Sequence, residues 1–132
     1  QNVYAYNLAS CYLENNSNKS FRVKPLPIAA QFSRVSGIVV TDVDGDKKED
    51  LLLHGNDFSW RAQLGNMDGS LGVVCRGDGA GNFKQLPVSQ VGIIANGAVQ
   101  DMALIANGSE RFIVTTKNNA PIETRRLERK SK

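Results

Sequence analysis

No stretch of twelve residues in this chain carries a clean 3.6-residue apolar period, which removes amphipathic helices as its main building blocks. In their place stand eight short runs rich in Val, Ile, Leu, Tyr and Phe, at 3–15, 21–26, 37–43, 50–54, 72–76, 83–88, 99–105 and 112–117. Clusters of Asn, Gly, Asp and Ser separate them, the punctuation of strands joined by turns. The expected class is all-β and antiparallel: a sandwich, a barrel or propeller blades. The run Leu51-Leu52-Leu53 lacks polar–apolar alternation, so its strand is expected to be covered on both faces.

An internal repeat narrows that choice. SCYLENNSNKSF (10–21) aligns with GVVCRGDGAGNF (72–83), each a strand, a polar turn and a strand opening on Phe21 or Phe83. Leu26-Pro27 and Leu86-Pro87 follow at matching places. GIVVTDVDGDKKEDLLLHGN (37–56) likewise aligns with GAVQDMALIANGSERFIVTTKNN (97–119), with Asp42 and Asp101 at the same point. The period of about 60 residues, relating 10–56 to 72–119, signals stacked supersecondary units. Residues 37–88 hold four strands, enough for one four-stranded antiparallel propeller blade. Residues 3–26 supply the last two strands of a preceding blade, and 98–117 the first two of a following one. That is about two blade equivalents, whereas closure takes about four blades or more, and two leave long open edges. Residues 1–121 are therefore expected to form part of a larger propeller, which suits a chain opening on Gln1.

Charge is unevenly spread. The 132 residues carry a net +3, but the last eight alone carry +4, from Arg125, Arg126, Arg129, Lys130 and Lys132 against Glu128. The body is thus at −1, which does not support a nucleic-acid footprint. Residues 122–132 are expected to be a solvated basic tail. No apolar run approaches the ~18 residues of a membrane span. Two cysteines and one histidine exclude zinc fingers and CxxC redox sites. Cys11 and Cys75 lie in apolar runs, where inert buried thiols are the usual case, and free thiols are expected. A Ser-His-Asp triad would need His54, but there is no GxSxG elbow.

One loop stands apart: TDVDGDKKED, 41–50. Asp42, Asp44, Asp46 and Asp50 fall at positions 1, 3, 5 and 9. Carboxylates so crowded repel, at about 1–4 kcal/mol per pair ~4 Å apart, unless a cation sits among them. Hard oxygen ligands at odd positions, with the Lys48 carbonyl at position 7, are what calcium prefers. Gly45 eases the turn. The loop joins strands, and Leu53 stands where an EF-hand has its Glu at position 12, so an EF-hand is rejected. The plain alternative is an acidic surface turn, and the regular register favours the cation.

At this loop the chain resembles the FG-GAP/VCBS repeat β-propellers, whose blades carry a D-x-[DN]-G-D-G-x-x-D calcium loop. The resemblance continues through DLLLHGNDF (50–58), LGNMDGSLG (64–72), GDGAGNF (77–83) and VTTKNNAP (114–121), and is closest to the C-terminal section of Bacteroidetes-type VCBS proteins. It implies that Asp42, Asp44, Asp46 and Asp50 bind calcium by side chain and Lys48 by its carbonyl. There are two departures. Lys47 stands where the family has a left-handed Gly, at a cost of about 1–2 kcal/mol. The second repeat keeps only Asp101, followed by Met102, Ala103 and Leu104, so one structural calcium is expected rather than two.

Other motifs read more plainly. GDGAGNF lacks a GK[ST] and a following helix, so it is a hairpin turn with Asp78 as a turn residue rather than a phosphate cradle. Asn15-Asn16-Ser17 and Asn107-Gly108-Ser109 fit glycosylation sequons. Asp57, Phe58, Trp60 and Arg61 lie in the long connection 56–71, where Trp60 either caps the blade's apolar layer, the favoured role, or stacks on a sugar or partner. The resemblance implies an extracellular or cell-envelope scaffold for adhesion or binding of a protein or glycan, and no enzyme. The alternatives are an accessory section of a polysaccharide-acting enzyme such as a lyase, or a self-associating module whose half blades are completed by a second chain.

Overall fold

The computed structural model describes residues 3–17, 19–58, 65, 69–91 and 95–127. Among these it has nine strands: β1 (Cys11–Asn15), β2 (Phe21–Pro25), β3 (Val35–Thr41), β4 (Asp50–Gly55), β5 (Val73–Gly77), β6 (Phe83–Leu86), β7 (Val99–Asn107), β8 (Glu110–Lys117) and β9 (Ala120–Arg126). A 3-10 turn (Ile28–Gln31) and one helical turn (Val88–Val91) complete the elements. No helix among the described residues is long and apolar enough to cross a membrane. The strands form three antiparallel meanders, ordered β1-β2, β3-β4-β5-β6 and β7-β8-β9. The all-β class and the intact four-stranded unit at its centre match the sequence pattern. The three sheets do not close into a ring among the described residues.

Three expectations are corrected. The first run begins as a strand only at Cys11; residues 3–9 are exposed and belong to no strand. The third sheet has three strands, not two, and residues 122–126 belong to β9 rather than to a tail. The basic residues there sit on exposed positions and find partners: Arg126 pairs with Glu110 at 3.0 Å. Leu127, just beyond, is buried in the core and its N–H donates to the Arg111 carbonyl at 2.7 Å. β9 is exposed at every position but Glu123, so composition alone misreads it as a tail. Thirdly, Cys11 is only half-buried, unlike Cys75; both thiols are free.

Turn chemistry sets the hairpins. At the β5–β6 turn, Gly79 and Gly81 take positive φ (78° and 73°), and Asp78 Oδ1 accepts the N–H of Ala80 at 2.7 Å and of Asn82 at 3.1 Å. GDGAGNF is therefore the hairpin expected. The Asn82 amide also donates to Asp78 Oδ2, and these bonds hold the Asp78 carboxyl down at about 2.

Two apolar layers sandwich the central sheet. On one face Val39, Leu52 and Val74 meet Val99, Met102 and Ile113 of the third sheet, with Val43, Ala95 and Leu127. On the other face Leu53, Val73 and Cys75 pack with Ala29 and Ala30 of the 3-10 turn. Leu52 and Leu53, consecutive in β4, thus bury against opposite layers, which is why that run lacks alternation. The β3 strand is less covered: Ile38 and Val40 are 57% and 53% exposed, while Val39 between them is buried. Burial of this kind places the 41–50 loop where β3 leaves the sheet and β4 re-enters it, next to the end of β5.

Candidate metal centre

The loop is wound tightly by its own carboxylates. Asp42 accepts the N–H of Gly45 at 2.6 Å through Oδ1 and that of Lys47 at 3.0 Å through Oδ2. Asp44 Oδ1 accepts the Asp46 N–H at 3.1 Å, and Asp46 Oδ1 accepts the Lys48 N–H at 2.9 Å. Short acidic side chains bond readily to backbone a few residues on, which is the local reason Asp recurs here. The winding takes positive φ at Gly45 (85°) and at Lys47 (67°), the position where the sequence reading expects a left-handed backbone.

Asp50 anchors the loop from below. It is fully buried, and both its oxygens are used: Oδ2 accepts the Val43 N–H and Oδ1 the Gly77 N–H, each at 2.9 Å. One side chain, on the first residue of β4, thus ties the start of the loop at Val43 to the last residue of β5.

Asp42, Asp44 and Asp50 each bring one carboxylate oxygen within 4.8 Å of the others. Calcium–oxygen bonds run about 2.3–2.6 Å, so ligands across one ion lie up to about 5 Å apart. The three oxygens therefore fit around a common hard cation, and the cluster can hold a metal ion. Asp46 is not one of the converging three. Its Oδ2 receives the Arg76 guanidinium at 2.8 Å, while Arg76 Nε reaches Asp44 Oδ2 at 2.9 Å. The Arg76 hydrogen bond, helped by the Lys48 N–H, holds the Asp46 carboxyl below the usual range. Of Lys48 the structure gives the N–H bond to Asp46 and a distant ion pair at 4.0 Å.

Two arginines escape a local sequence reading. Arg76, on β5, pairs with Asp44 and with Asp46, the latter 30 positions away. Arg111, on β8, donates at 2.9 Å to both the Thr41 hydroxyl and the Asp42 carbonyl, bracing the loop from the neighbouring sheet. Arg76 lies beside the loop because β5 pairs with β4, a placement that no local sequence pattern shows. Arg76 is also a competitor. A cation shared by Asp42, Asp44 and Asp50 draws on a carboxylate that Arg76 already holds. Arg76→Gln is therefore expected to tighten calcium binding about threefold and to lower the melting temperature without calcium. Titration calorimetry on both proteins checks this; an unchanged affinity would show that Arg76 and the ion do not share Asp44.

The remaining candidates are quiet. Asp101, aligned with Asp42 in the sequence, lies within β7 and accepts its neighbour Met102's N–H at 2.8 Å. Burial pushes the Cys75 thiol up to about 11, far from nucleophilic at neutral pH. His54 is buried with both ring nitrogens on carbonyls, Gly55 O at 2.9 Å and Ala95 O at 2.7 Å, so neither faces a nucleophile. Asp57 pairs with Arg34 at 3.2 Å, and Phe58 is partly exposed. Trp60 and Arg61 lie outside the described residues. Comparison of the chain with protein-family models, with curated proteins and with solved structures finds no match.

Proposed function

We propose that the 41–50 loop binds one structural calcium ion through Asp42, Asp44 and Asp50, and that the chain is a calcium-stabilised β-propeller section serving as a binding or adhesion scaffold outside the cytoplasm. The convergence of three carboxylate oxygens within 4.8 Å carries this reading. All-oxygen, anionic donors suit calcium better than zinc or copper, which seek nitrogen and sulfur. Side chains of Asp46 and the Lys48 carbonyl enter the coordination when Asp46 leaves Arg76. Lys47 in the left-handed region, at φ 67°, adds strain that weakens affinity. Weak sites suit extracellular calcium, whose modules bind with dissociation constants of about 10⁻⁴–10⁻³ M.

The ion's role in this reading is to replace carboxylate repulsion with attraction, so that binding adds to folding free energy. At a hundredfold excess over the dissociation constant the gain is about 2.7 kcal/mol. Stripping with EDTA is expected to lower the melting temperature by several degrees relative to calcium-loaded protein, and Asp44→Ala to remove that response. Stripped protein whose melting temperature does not move when calcium is restored would contradict the proposal.

The blade reading draws support from the uncovered strip on β3. Ile38 and Val40 point away from the third sheet, on the face where β4 and β5 are covered by the 3-10 turn. In a propeller, the inner strands of the preceding blade would lie there. The β1–β2 hairpin, standing for the outer strands, packs instead beside the β5–β6 turn through the Tyr12–Phe83 edge contact at 5.3 Å. Such a strip calls for neighbouring blades or a second copy to cover it.

A further inference from the structure

Among the described residues the three sheets have six edge strands: β1, β2, β3, β6, β7 and β9. Five of them carry charge, through Glu14, Arg22, Lys84, Asp101 and Arg125 among others. Charge keeps an edge from pairing with another chain. β3, with the sequence VSGIVVT, has none. Its backbone at 37–41 bonds only to β4 among the described residues, and Ile38 and Val40 stand exposed along it. β7 does not close this edge. A Cβ at Gly37 would lie 3.0 Å from the Met102 nitrogen; because a Cβ stands out of the plane of its sheet, β7 crosses the face of β3. The arm at 3–9, VYAYNLA, is likewise uncharged and belongs to no strand. Tyr6 and Leu8 are 94% and 90% exposed, and Tyr4 66%. In an extended chain these three alternate residues share one face. Ser10 fixes the root of the arm: its N–H donates to Gln31 Oε1 at 2.7 Å, and its carbonyl accepts the Leu26 N–H at 2.9 Å.

We infer that residues 3–9 of one copy of this chain add to the β3 edge of a second copy, reciprocally, giving a closed dimer. The arm supplies backbone donors and acceptors to the outer edge of β3, as a strand added to a sheet does. Its Tyr4, Tyr6 and Leu8 face then extends the apolar strip of Ile38 and Val40. Neither member carries a charge, so pairing them opposes no like charges and buries no ion. The area is sufficient. Two arms bring four tyrosines and two leucines. Even half-covered, at about 150–250 Å² per whole aromatic side chain, these and the matching surface of two β3 strips reach the roughly 1,000 Å² of a specific interface. A symmetric contact of β3 with its own copy covers the strip but leaves the arm bare. Extending the arm gives up the bond in which Asn7 Oδ1 accepts the Ala9 N–H at 3.0 Å, an exposed bond whose partners water also serves. No residue of the acidic loop takes part, so the dimer does not depend on the calcium reading.

The test is sedimentation equilibrium of the whole chain in chelator, from about 1 to 100 µM. The mass is expected to rise from one chain to two and to stop there. Tyr6→Lys/Leu8→Lys on the arm, and Val40→Lys on the edge, are each expected to weaken the dimer at least about tenfold. The arm variant changes only exposed residues outside every strand, so it decides the matter even where Val40→Lys disturbs β3. A mixture of the two variants is expected to associate more tightly than either alone, because one intact arm meets one intact edge. Hydrogen exchange at 38–41 is expected to slow as the wild-type dimer forms, and not to slow in the arm variant. A wild type that stays a single chain at the highest concentration, an arm variant that dimerises as tightly as the wild type, slow exchange at 38–41 in the single chain, or growth beyond two chains would each overturn the proposal. The second of these results would assign the contact to β3 alone, and the third would place the arm on its own chain's edge.

Discussion

Asp50→Ala is expected to destabilise the protein by about 3–5 kcal/mol, the largest effect of any single side chain at the acidic loop. Asp50 is fully buried and accepts two backbone N–H groups, from Val43 and Gly77. Truncation leaves both donors buried without partners, at about 1–3 kcal/mol each, and opens a small cavity. Asp50→Asn keeps one carbonyl oxygen and turns an amide donor toward the other N–H, so it should recover only part of the loss. Urea unfolding of the three proteins in chelator isolates this structural role from any metal. A loss below about 1 kcal/mol for Asp50→Ala would mean that the two amides find water, and that the loop is not pinned through this residue.

Gly77→Ala should cost nearly as much, about 2–3 kcal/mol, for a steric reason. A Cβ at Gly77 would lie 2.1 Å from the Glu49 carbonyl oxygen, and 3.4 Å from the Phe83 ring. Backbone must move, and the Gly77 N–H that serves Asp50 moves with it. Gly45→Ala is the matched control. Its Cβ meets nothing within 4 Å, so only the strain of φ 85° remains, about 1 kcal/mol. Thermal unfolding of both variants should therefore rank Gly77→Ala well below Gly45→Ala; the reverse order would show that backbone conformation, not the approach of β5 to the loop, limits this corner.

These two positions show what the sequence reveals and what it does not. Strands were legible because burial imposes local periodicity and turns demand Gly, Asn and Asp: the Asp78 turn and the doubly covered Leu51-Leu52-Leu53 run follow from a few adjacent residues. The converging trio was legible as well, since Asp at alternate positions winds a loop around its own carboxylates. Asp46 was not, because its fate is set by Arg76 from another strand, and Arg111 braces Asp42 across 69 positions. Long-range ion pairs leave no local pattern. Nor does the third strand of the last sheet, where Ala120–Arg126 is exposed and charged on the side that composition sees and paired to β8 on the side it does not.

Calcium binding can be counted directly. Stripped protein titrated with calcium, with bound ion measured at equilibrium, should saturate at one calcium per chain. Magnesium, smaller and bound to near-ideal octahedral geometry, should displace it poorly. Asp42→Asn/Asp44→Asn should bind none in the same range, while remaining folded through Asp50. Saturation at one ion that vanishes in the double variant is the result this account predicts. No saturable calcium binding at millimolar concentrations, or one ion bound equally by the double variant, would contradict it, and the acidic loop would then be a turn neutralised by Arg76 alone.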